Sequence, residues 1–428
     1  MLISRSWVIL TRPGYKITEI GEIPEEWETV TMNDVGQYIN GMAFKPRDWK
    51  EQGIPIVRIE NLNDLDASFN YYQGEFDKRY LLNDGELLLS WSASLGVYLW
   101  NRGEALLNQH IFKVIPKENI SKHYLYWALH RAVDTLSRAT HGSTMKHFQK
   151  GELEKTLIPL PPLPEQQKIA EILSTADEAI QKVNEQITRT EQLKKGLMRT
   201  LLTRGIGHTK FKMTEVGEIP EEWRNTPVRD IVSVKRGYSY RSDQITRDKP
   251  TSIRIININD FDKISGWKQS PEILYLTSSV IPSKFKLHPN ELLIANTDMS
   301  KGLIIGAPLL IDRIPEDTSY IFSSDLTKLT PLNSSVNTKF LFYFLSYEPI
   351  RKATQSYAQG TNVLHLNHDL FKQISIPIPT LTEQQKIAEI LSTADEKLGL
   401  LRKKSIELEI LKKGLMEDLL TGKIRVKV

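Results

Sequence analysis

Two stretches of this chain carry apolar residues at a spacing close to 3.5. In the first these are Ile169, Leu173, Ala176, Ile180, Val183, Ile187, Leu193, Leu197 and Leu201. In the second they are Ile387, Leu391, Ala394, Leu398, Leu401, Leu408, Leu411, Leu415 and Leu419. Such a seam, sustained for about five heptads, predicts long helices that pair along it. At 1.5 Å per residue, some 40 residues make a rod of roughly 60 Å. Ordinary core helices are the alternative, and the length and regularity of the seam argue against it. A whole globular segment lies between the two, so the helices can pair within one chain, and a pseudo-two-fold would make them antiparallel. Elsewhere the pattern shortens. Ile54–Ile59 and Ser252–Ile258 read as strands, as do the apolar runs Glu86–Leu89 and Glu291–Ile294. Ser121–Leu136 and Asn337–Tyr347 have helical spacing. Proline-rich boundaries at Ile158–Pro164 and Ile376–Thr382 precede both long helices, a favourable way to start one.

The chain is written twice. EQQKIAEILSTADE spans Glu165–Glu178 and returns unchanged at Glu383–Glu396. IGEIPEEW at Ile20–Trp27 reappears as VGEIPEEW at Val216–Trp223, and LKKGLM occurs at Leu193–Met198 and Leu411–Met416. The copies align at an offset of 196 from Ile17 through Asp64, of 205 at Gly85–Leu88, of 215 at Lys113 and of 218 from His141 onward. The second copy therefore carries insertions between shared landmarks, which surface loops absorb most easily. The expected architecture is α+β: two globular mixed α/β domains in tandem, separated by two long helices that form an antiparallel coiled coil with pseudo-two-fold symmetry. Its boundaries fall as an N-terminal segment 1–16, a domain 17–160, a helical spacer 161–206, a second domain 207–378 and a second spacer with tail 379–428. The two chain ends together resemble the central linker, so they are expected to lie near each other.

Composition narrows the function. At 428 residues, two or more domains are expected. No apolar run approaches the roughly 20 residues of a membrane span, and the start of the chain does not read as a secretory signal. The absence of cysteine excludes disulfides, thiolate metal sites and thiol nucleophiles. A cytoplasmic location is the plain expectation. The net charge of +4 neither demands nor excludes nucleic acid, so any basic surface must be local. Catalytic motifs are missing: Gly422-Lys423 lacks the upstream glycine of a phosphate-binding loop, and no GxGxxG, HExxH or Asn/Asp-Pro-Pro-Tyr/Phe occurs. His365 and His368 have a helical metal spacing, but they sit in a turn-like stretch without a third ligand. The chain is expected to catalyse nothing alone and to hold no cofactor or metal.

Polar and basic chemistry instead recurs at matched loop positions. Asn40-Gly-Met-Ala-Phe-Lys45 faces Arg236-Gly-Tyr-Ser-Tyr-Arg241, and Arg58 faces Arg254. Ser90-Trp91-Ser92 faces Ala295-Asn296-Thr297, and Asn108-Gln109-His110 faces Ser323-Ser324-Asp325. His141-Gly-Ser-Thr-Met-Lys-His147 faces Gln359-Gly-Thr-Asn-Val-Leu-His365. Cationic side chains and loop amides suit phosphates, and Asn, Gln, Ser, Thr and Arg suit base edges. The candidate DNA contacts are Lys45, Arg58, Ser90, Ser92, Asn108, Gln109, His141, Ser143, Thr144 and Lys146 in the first copy. In the second they are Arg236, Arg241, Arg254, Asn296, Thr297, Gln359, Thr361 and Asn362. Arg58 and Arg254 can equally be structural ion pairs, and the Asn-x-Asn-Asp segments beside them strand-end turns.

PLPPLPEQQKIAEILSTADE, its second version TLTEQQKIAEILSTADE, LKKGLM followed by LLT, and the paired GEIPEEW strings resemble the specificity subunit of type I restriction-modification systems. The similarity runs over essentially the whole chain. It implies that each globular part is a target recognition domain reading one half of an asymmetric, bipartite site on double-stranded DNA. It further implies that the helices set the spacing and dock two adenine-N6 methyltransferase subunits. S-adenosylmethionine, ATP and magnesium would then belong to those partners and to restriction subunits. Three other readings stay open: the same module serving a different methyltransferase or a combined nuclease-methyltransferase, an interaction scaffold without DNA specificity, and a self-sufficient DNA enzyme.

Overall fold

The computed structural model describes residues 11–92, 94–139, 150–214, 217–248, 253–262, 266–268, 272–278, 280, 283–299 and 303–428. The two seams form unbroken helices, Leu163–Leu201 and Leu381–Leu420. The chain divides into two compact units, and the division cuts both helices near their middles. One unit is Met1–Asn184 with Arg402–Val428, and the other is Glu185–Leu401. Each unit thus contains one globular part and half of each long helix.

In the first unit, strands Gly36–Asn40, Ile111–Pro116, Glu86–Ser90 and Gly96–Trp100 form an antiparallel sheet in that order. A second sheet runs Asn70–Tyr72, Ile54–Val57, Ala105–Leu107, Leu81–Leu82 and contains a parallel pair, Ile54–Val57 with Ala105–Leu107. Helix Lys122–Ala139 carries Tyr124, Leu125, Trp127 and Leu129 into the core, where they meet Leu87, Leu89 and Val114. The second unit repeats the plan. Val232–Arg236, Leu326–Pro331, Glu291–Ala295 and Pro308–Ile311 form the antiparallel sheet. Ile253–Ile256 pairs parallel with Ser319–Phe322 in the smaller one. The same partly buried ion pair braces both larger sheets: Lys113 to Glu86 at 2.6 Å and Lys328 to Glu291 at 2.7 Å. The helix expected over Asn337–Tyr347 spans Thr338–Ser346, capped by the Asn337 side chain accepting from Phe340 N–H. A second helix, Glu348–Ser356, follows it, with Pro349 in its first turn, where the missing N–H costs nothing.

The doubled strings are the joints of the fold. Trp27, fully buried, donates its indole N–H to Glu165 at 2.9 Å, and Glu165 is 2% exposed. Arg425 from the C-terminal tail reaches the same carboxylate at 3.0 Å. In the second unit Trp223 donates to Glu383 at 3.1 Å, and Ile206 N–H and His208 Nε2 each lie 2.9 Å from the other oxygen. Beside each glutamate a buried glutamine ties the long helix to the globular part. Gln166 accepts from Ser121 N–H and donates to Asn119 and Pro161 carbonyls. Gln384 accepts from Asn337 N–H and donates to Ser335 and Pro379 carbonyls. At the other end of the string, Asp177 pairs with Lys412 at 2.7 Å in the first unit, and Asp395 pairs with Lys194 in the second. Asn184 bonds Ser405 at 2.9 Å, so seven residues forward on one helix match seven backward on the other. That is antiparallel packing.

Two seam residues lie elsewhere than expected. Leu193 and Leu411, equivalent in the repeat, are 57% and 54% exposed, because each lies one residue before the true seam position, which Lys194 and Lys412 occupy. The described N-terminal residues do meet the C-terminal tail, Arg12 donating to the Lys423 carbonyl and Gly422 lying against Pro24 and Trp27.

Removing the carboxylate should be costly. Glu165→Ala leaves a buried indole N–H and the Arg425 guanidinium without their acceptor, and we expect a loss of about 2–3 kcal/mol in the stability of the first unit. Chemical denaturation with a probe in that unit reads it, and an unchanged midpoint contradicts the assignment.

Candidate nucleic-acid interface

In each unit the loop after the first strand of the larger sheet crosses a loop from the smaller one at a glycine. A Cβ on Gly41 would lie 2.2 Å from the Asn108 carbonyl oxygen, and one on Gly237 would lie 2.1 Å from that of Ser323. Only glycine allows this approach. The crossing carries hydrogen bonds from Met42 N–H to Leu107 and from Gln109 N–H to Met42. In the second unit Tyr238 N–H bonds Phe322 and Ser324 N–H bonds Tyr238. The crossing therefore brings together two of the loop groups singled out in the sequence.

In the first unit, Lys45 is exposed at the end of its loop and Gln109 is partly exposed beside His110. Trp91, absent from the sequence-based candidates, stands against His110 and Asn40. Its ring stacks on Phe112 at 5.9 Å and lies 5.5 Å from His110, and its N–H points to Asn40. An aromatic residue flanked by two polar ones in a turn was the available signal. Ser92 is partly exposed next to it. Ser90 and Asn108 are displaced from the expected surface. Ser90 is fully buried with its hydroxyl donated to Ser94 O, and Asn108 is 8% exposed beneath Gly41. Both alternate inward from their strand ends, so neither offers its side chain outward. His141, Ser143, Thr144 and Lys146 lie outside the described residues.

In the second unit, Arg236 is exposed and donates from Nε to Ser324 O at 2.9 Å. Thr297 donates to Asp325 at 3.2 Å, and Asn296 N–H bonds the Asp325 carbonyl. Thr297 and Asn296 are 5% and 4% exposed, again inward rather than outward. Among the described residues neither amide atom of Asn296 has a hydrogen-bond partner. A small sheet of Thr297–Asp298, Leu364–Leu366 and Ala358–Gln359 is built on this floor. Gly360, at φ +122°, makes the turn that leaves Gln359, Thr361 and Asn362 exposed at its tip. His365 lies in a strand of that sheet and His368 starts the next helix behind its Asn367 cap, a strand–helix corner rather than a single turn. Burial, then the charges of Lys372 and Arg236, hold His368 below its ordinary pKa. Among the described residues no cluster of three His, Cys, Asp or Glu side chains fit for a metal occurs.

Arg58 and Arg254 are not equivalents. Val57 and Ile256 occupy the same position, each accepting from the loop amide below it, Asn108 or Ser323. The offset there is therefore 199, and the ungapped alignment through Asp64 is corrected by three residues placed before the strand. The lookalike strings RIENLND and RIININD hid the step. Arg58 follows its strand, stacks on Trp49 at 4.9 Å and pairs with Glu60. Arg254 lies within its strand, paired with Asp260, which is 2% exposed, and lies 5.4 Å from Tyr320 and Trp267. Burial raises the Asp260 carboxyl, while Asn257 N–H and Arg254 draw it back. The ion-pair reading fits both arginines. The polar segments after them cap short helical turns: Asn61 accepts from Arg58 N–H and Asp260 from Asn257 N–H. Arg241 is exposed beside Asp243 at 3.3 Å.

The family model described as type I restriction modification DNA specificity domain matches residues 24–192 and again 220–410. The chain is 30% identical over 413 residues to the type I restriction enzyme MjaVIII specificity subunit of Methanocaldococcus jannaschii, covering 95% of this chain and 94% of that one. It is 24% identical to the EcoBI specificity subunit of Escherichia coli, over 85% of this chain and 78% of the other. The fold matches the crystal structure of a type I restriction-modification S subunit from M. genitalium with a TM-score of 0.58 at 14% identity, covering 92% of this chain and 96% of that one. This chain belongs to the family of type I restriction-modification DNA specificity proteins, with two copies of the family's domain in tandem. No helix among the described residues is long and apolar enough to cross a membrane.

Glycine at the loop crossing is testable. Gly41→Ala and Gly237→Ala should each destabilise their own unit by about 1–3 kcal/mol, because backbone must move to admit the methyl. Gly151→Ala, in a short helix where the added methyl meets nothing within 4 Å among the described residues, serves as the control in the first unit and should not lower the melting temperature.

Proposed function

We propose that this chain is the DNA-reading specificity subunit of a type I restriction-modification complex and is not itself a catalyst. Each globular part reads one half of a bipartite, asymmetric site on double-stranded DNA. The observation that carries this reading is the division between shared and private residues. The joints Trp27–Glu165 and Trp223–Glu383 and the glycine crossings are repeated. The side chains above them are not: partly exposed Gln109 and Trp91 in one unit stand against exposed Arg236, Gln359, Thr361 and Asn362 in the other. One scaffold with two loop sets suits two different half-sites. Near-identical long helices suit identical partners, and two methyltransferase subunits carrying S-adenosylmethionine are the partners we infer. Restriction subunits would supply ATP- and magnesium-dependent translocation and cleavage. Such a complex would act in the cytoplasm, on host and incoming DNA. Cations and loop amides hold phosphates in register while amide, hydroxyl and aromatic groups meet base edges. A head-to-tail repeat closed into a pseudo-two-fold would match the dyad of DNA.

Single-molecule sequencing of N6-methyladenine in host DNA, with and without the gene, tests this directly. We expect a split, asymmetric motif methylated on both strands that vanishes with the gene. Persistence of every motif in the deletion strain contradicts the proposal. The helices as a ruler make a second prediction: lengthening both by one turn, roughly 5.4 Å, should change the spacer between half-sites. An unchanged spacer in an active complex counts against the ruler.

A further inference from the structure

A second cationic element, missed by the sequence reading, sits against the loop that ends in Lys45 or Arg241. In the first unit a short 3-10 turn, Lys78–Tyr80, places Lys78 and Arg79 on the surface. Its Tyr80 joins Met42 and Phe44 of the loop in one apolar cluster. In the second unit the turn Ser283–Phe285 holds the same place, at the offset of 205 that relates Glu86 to Glu291. Its Phe285 ring lies 5.3 Å from Tyr238 of the loop, so the two elements pack directly. The pattern basic-then-aromatic is kept, as Arg79-Tyr80 and Lys284-Phe285, and in both turns the cation lies over the ring, at 4.7 and 5.0 Å.

The charges at these points survive where the surrounding loops do not. Lys45 and Arg241 end the loops at equivalent positions, and Arg79 and Lys284 are equivalent on the turns. All four are exposed. Among the described residues neither Lys45 nor Lys284 has a side-chain ion pair. Arg79 and Arg241 pair with exposed Asp77 and Asp243 at 3.2 and 3.3 Å, bonds that water and phosphate can replace at little cost. The packing role of the turn is met by its aromatic residue; Arg79 also donates to the Tyr80 hydroxyl at 2.7 Å, and both cations stay on the surface. Residues that read bases should differ between two half-sites, whereas residues that hold phosphates should not, since every sequence offers the same phosphates.

We propose that Arg79 and Lys284, each with its loop partner Lys45 or Arg241, form a phosphate clamp in each unit that seats the DNA backbone without reading sequence. The proposal rests on the DNA-reading function above and assigns the part of it that carries affinity. The aromatic ring fixes the cation's base, so the turn and the loop would grip as one body.

The test uses the full chain with its methyltransferase partner, on a fluorescent duplex carrying the motif found methylated in the host and on a scrambled duplex. Binding is titrated from low to moderate potassium chloride. Each lost phosphate contact removes about 0.9 from the slope of log affinity against log salt. The fourfold variant Lys45→Gln, Arg79→Gln, Arg241→Gln, Lys284→Gln should flatten the slope by roughly 3 to 4 and weaken both duplexes alike. The charge-keeping variants Arg79→Lys and Lys284→Arg should restore the slope. Lys117→Gln, exposed just past the end of strand Ile111–Pro116 that lies away from the crossing, should leave it unchanged. A wild-type slope in the fourfold variant overturns the clamp, as does a loss confined to the motif duplex, which would make these residues base readers. If the wild-type complex itself fails to prefer the motif, the DNA-reading function falls first, and that outcome is distinct from either.

Discussion

The bond between a buried indole and a glutamate held out of solvent, fully at Glu165 and mostly at Glu383, is the constraint on which the remaining structure depends. Trp27 and Trp223 close the short hairpin and loop that begin each globular part, and Glu165 and Glu383 open the long helices. A buried carboxylate is tolerable only when its oxygens are satisfied, so the helix starts in one place and one orientation. The adjoining glutamine extends the grip to the start of the next helix through backbone groups, which do not depend on side-chain identity. Loops elsewhere are then free to change. The third partner differs: a guanidinium from the chain's end serves Glu165, while a histidine and a backbone amide from the central linker serve Glu383. The chain end and the linker thus do equivalent work with different chemistry, as the likeness of their sequences implied.

Much of this was legible in the sequence because repetition marks what is physically shared. The long helices, several of the strands and the two-part organisation follow from periodicity and from strings that recur unchanged. What escaped is instructive. The pairing of Arg58 with Arg254 failed because six similar letters outweighed a register that only backbone hydrogen bonds define, and one strand is shifted by three residues. Leu193 and Leu411 were read as seam residues yet face outward, since each falls one position short of the seven-residue repeat, where Lys194 and Lys412 stand. Ser90, Asn108, Asn296 and Thr297 were chosen for their chemistry, but a strand end points half of its residues inward. Trp91 stood in the same loop group but was left off the candidates, which were drawn from polar and basic residues. The 3-10 turns were invisible because three residues carry no periodicity.

The scaffold separates two tasks. Shared residues hold the frame and offer the same charge to the same backbone, while private residues on the hairpin tip at Gly360 and around Trp91 present different groups. Such a division lets recognition change without refolding. A substitution at Thr361 or Asn362 touches no core residue, whereas one at Gly41, Gln166 or Trp27 touches little else. Duplication followed by divergence of the exposed loops alone is sufficient to turn one reader into two.

The most direct measurement of this account is the methylation motif of a chain in which residues 17–160 are replaced by residues 213–378, so that both globular parts carry the second loop set on unchanged joints. Because the joints are equivalent, the chimera should fold, and its methylated site should become an inverted repeat of the second half-site. An unchanged asymmetric motif, or a folded complex that methylates nothing while the parent remains active, would contradict the claim that each unit reads its own half.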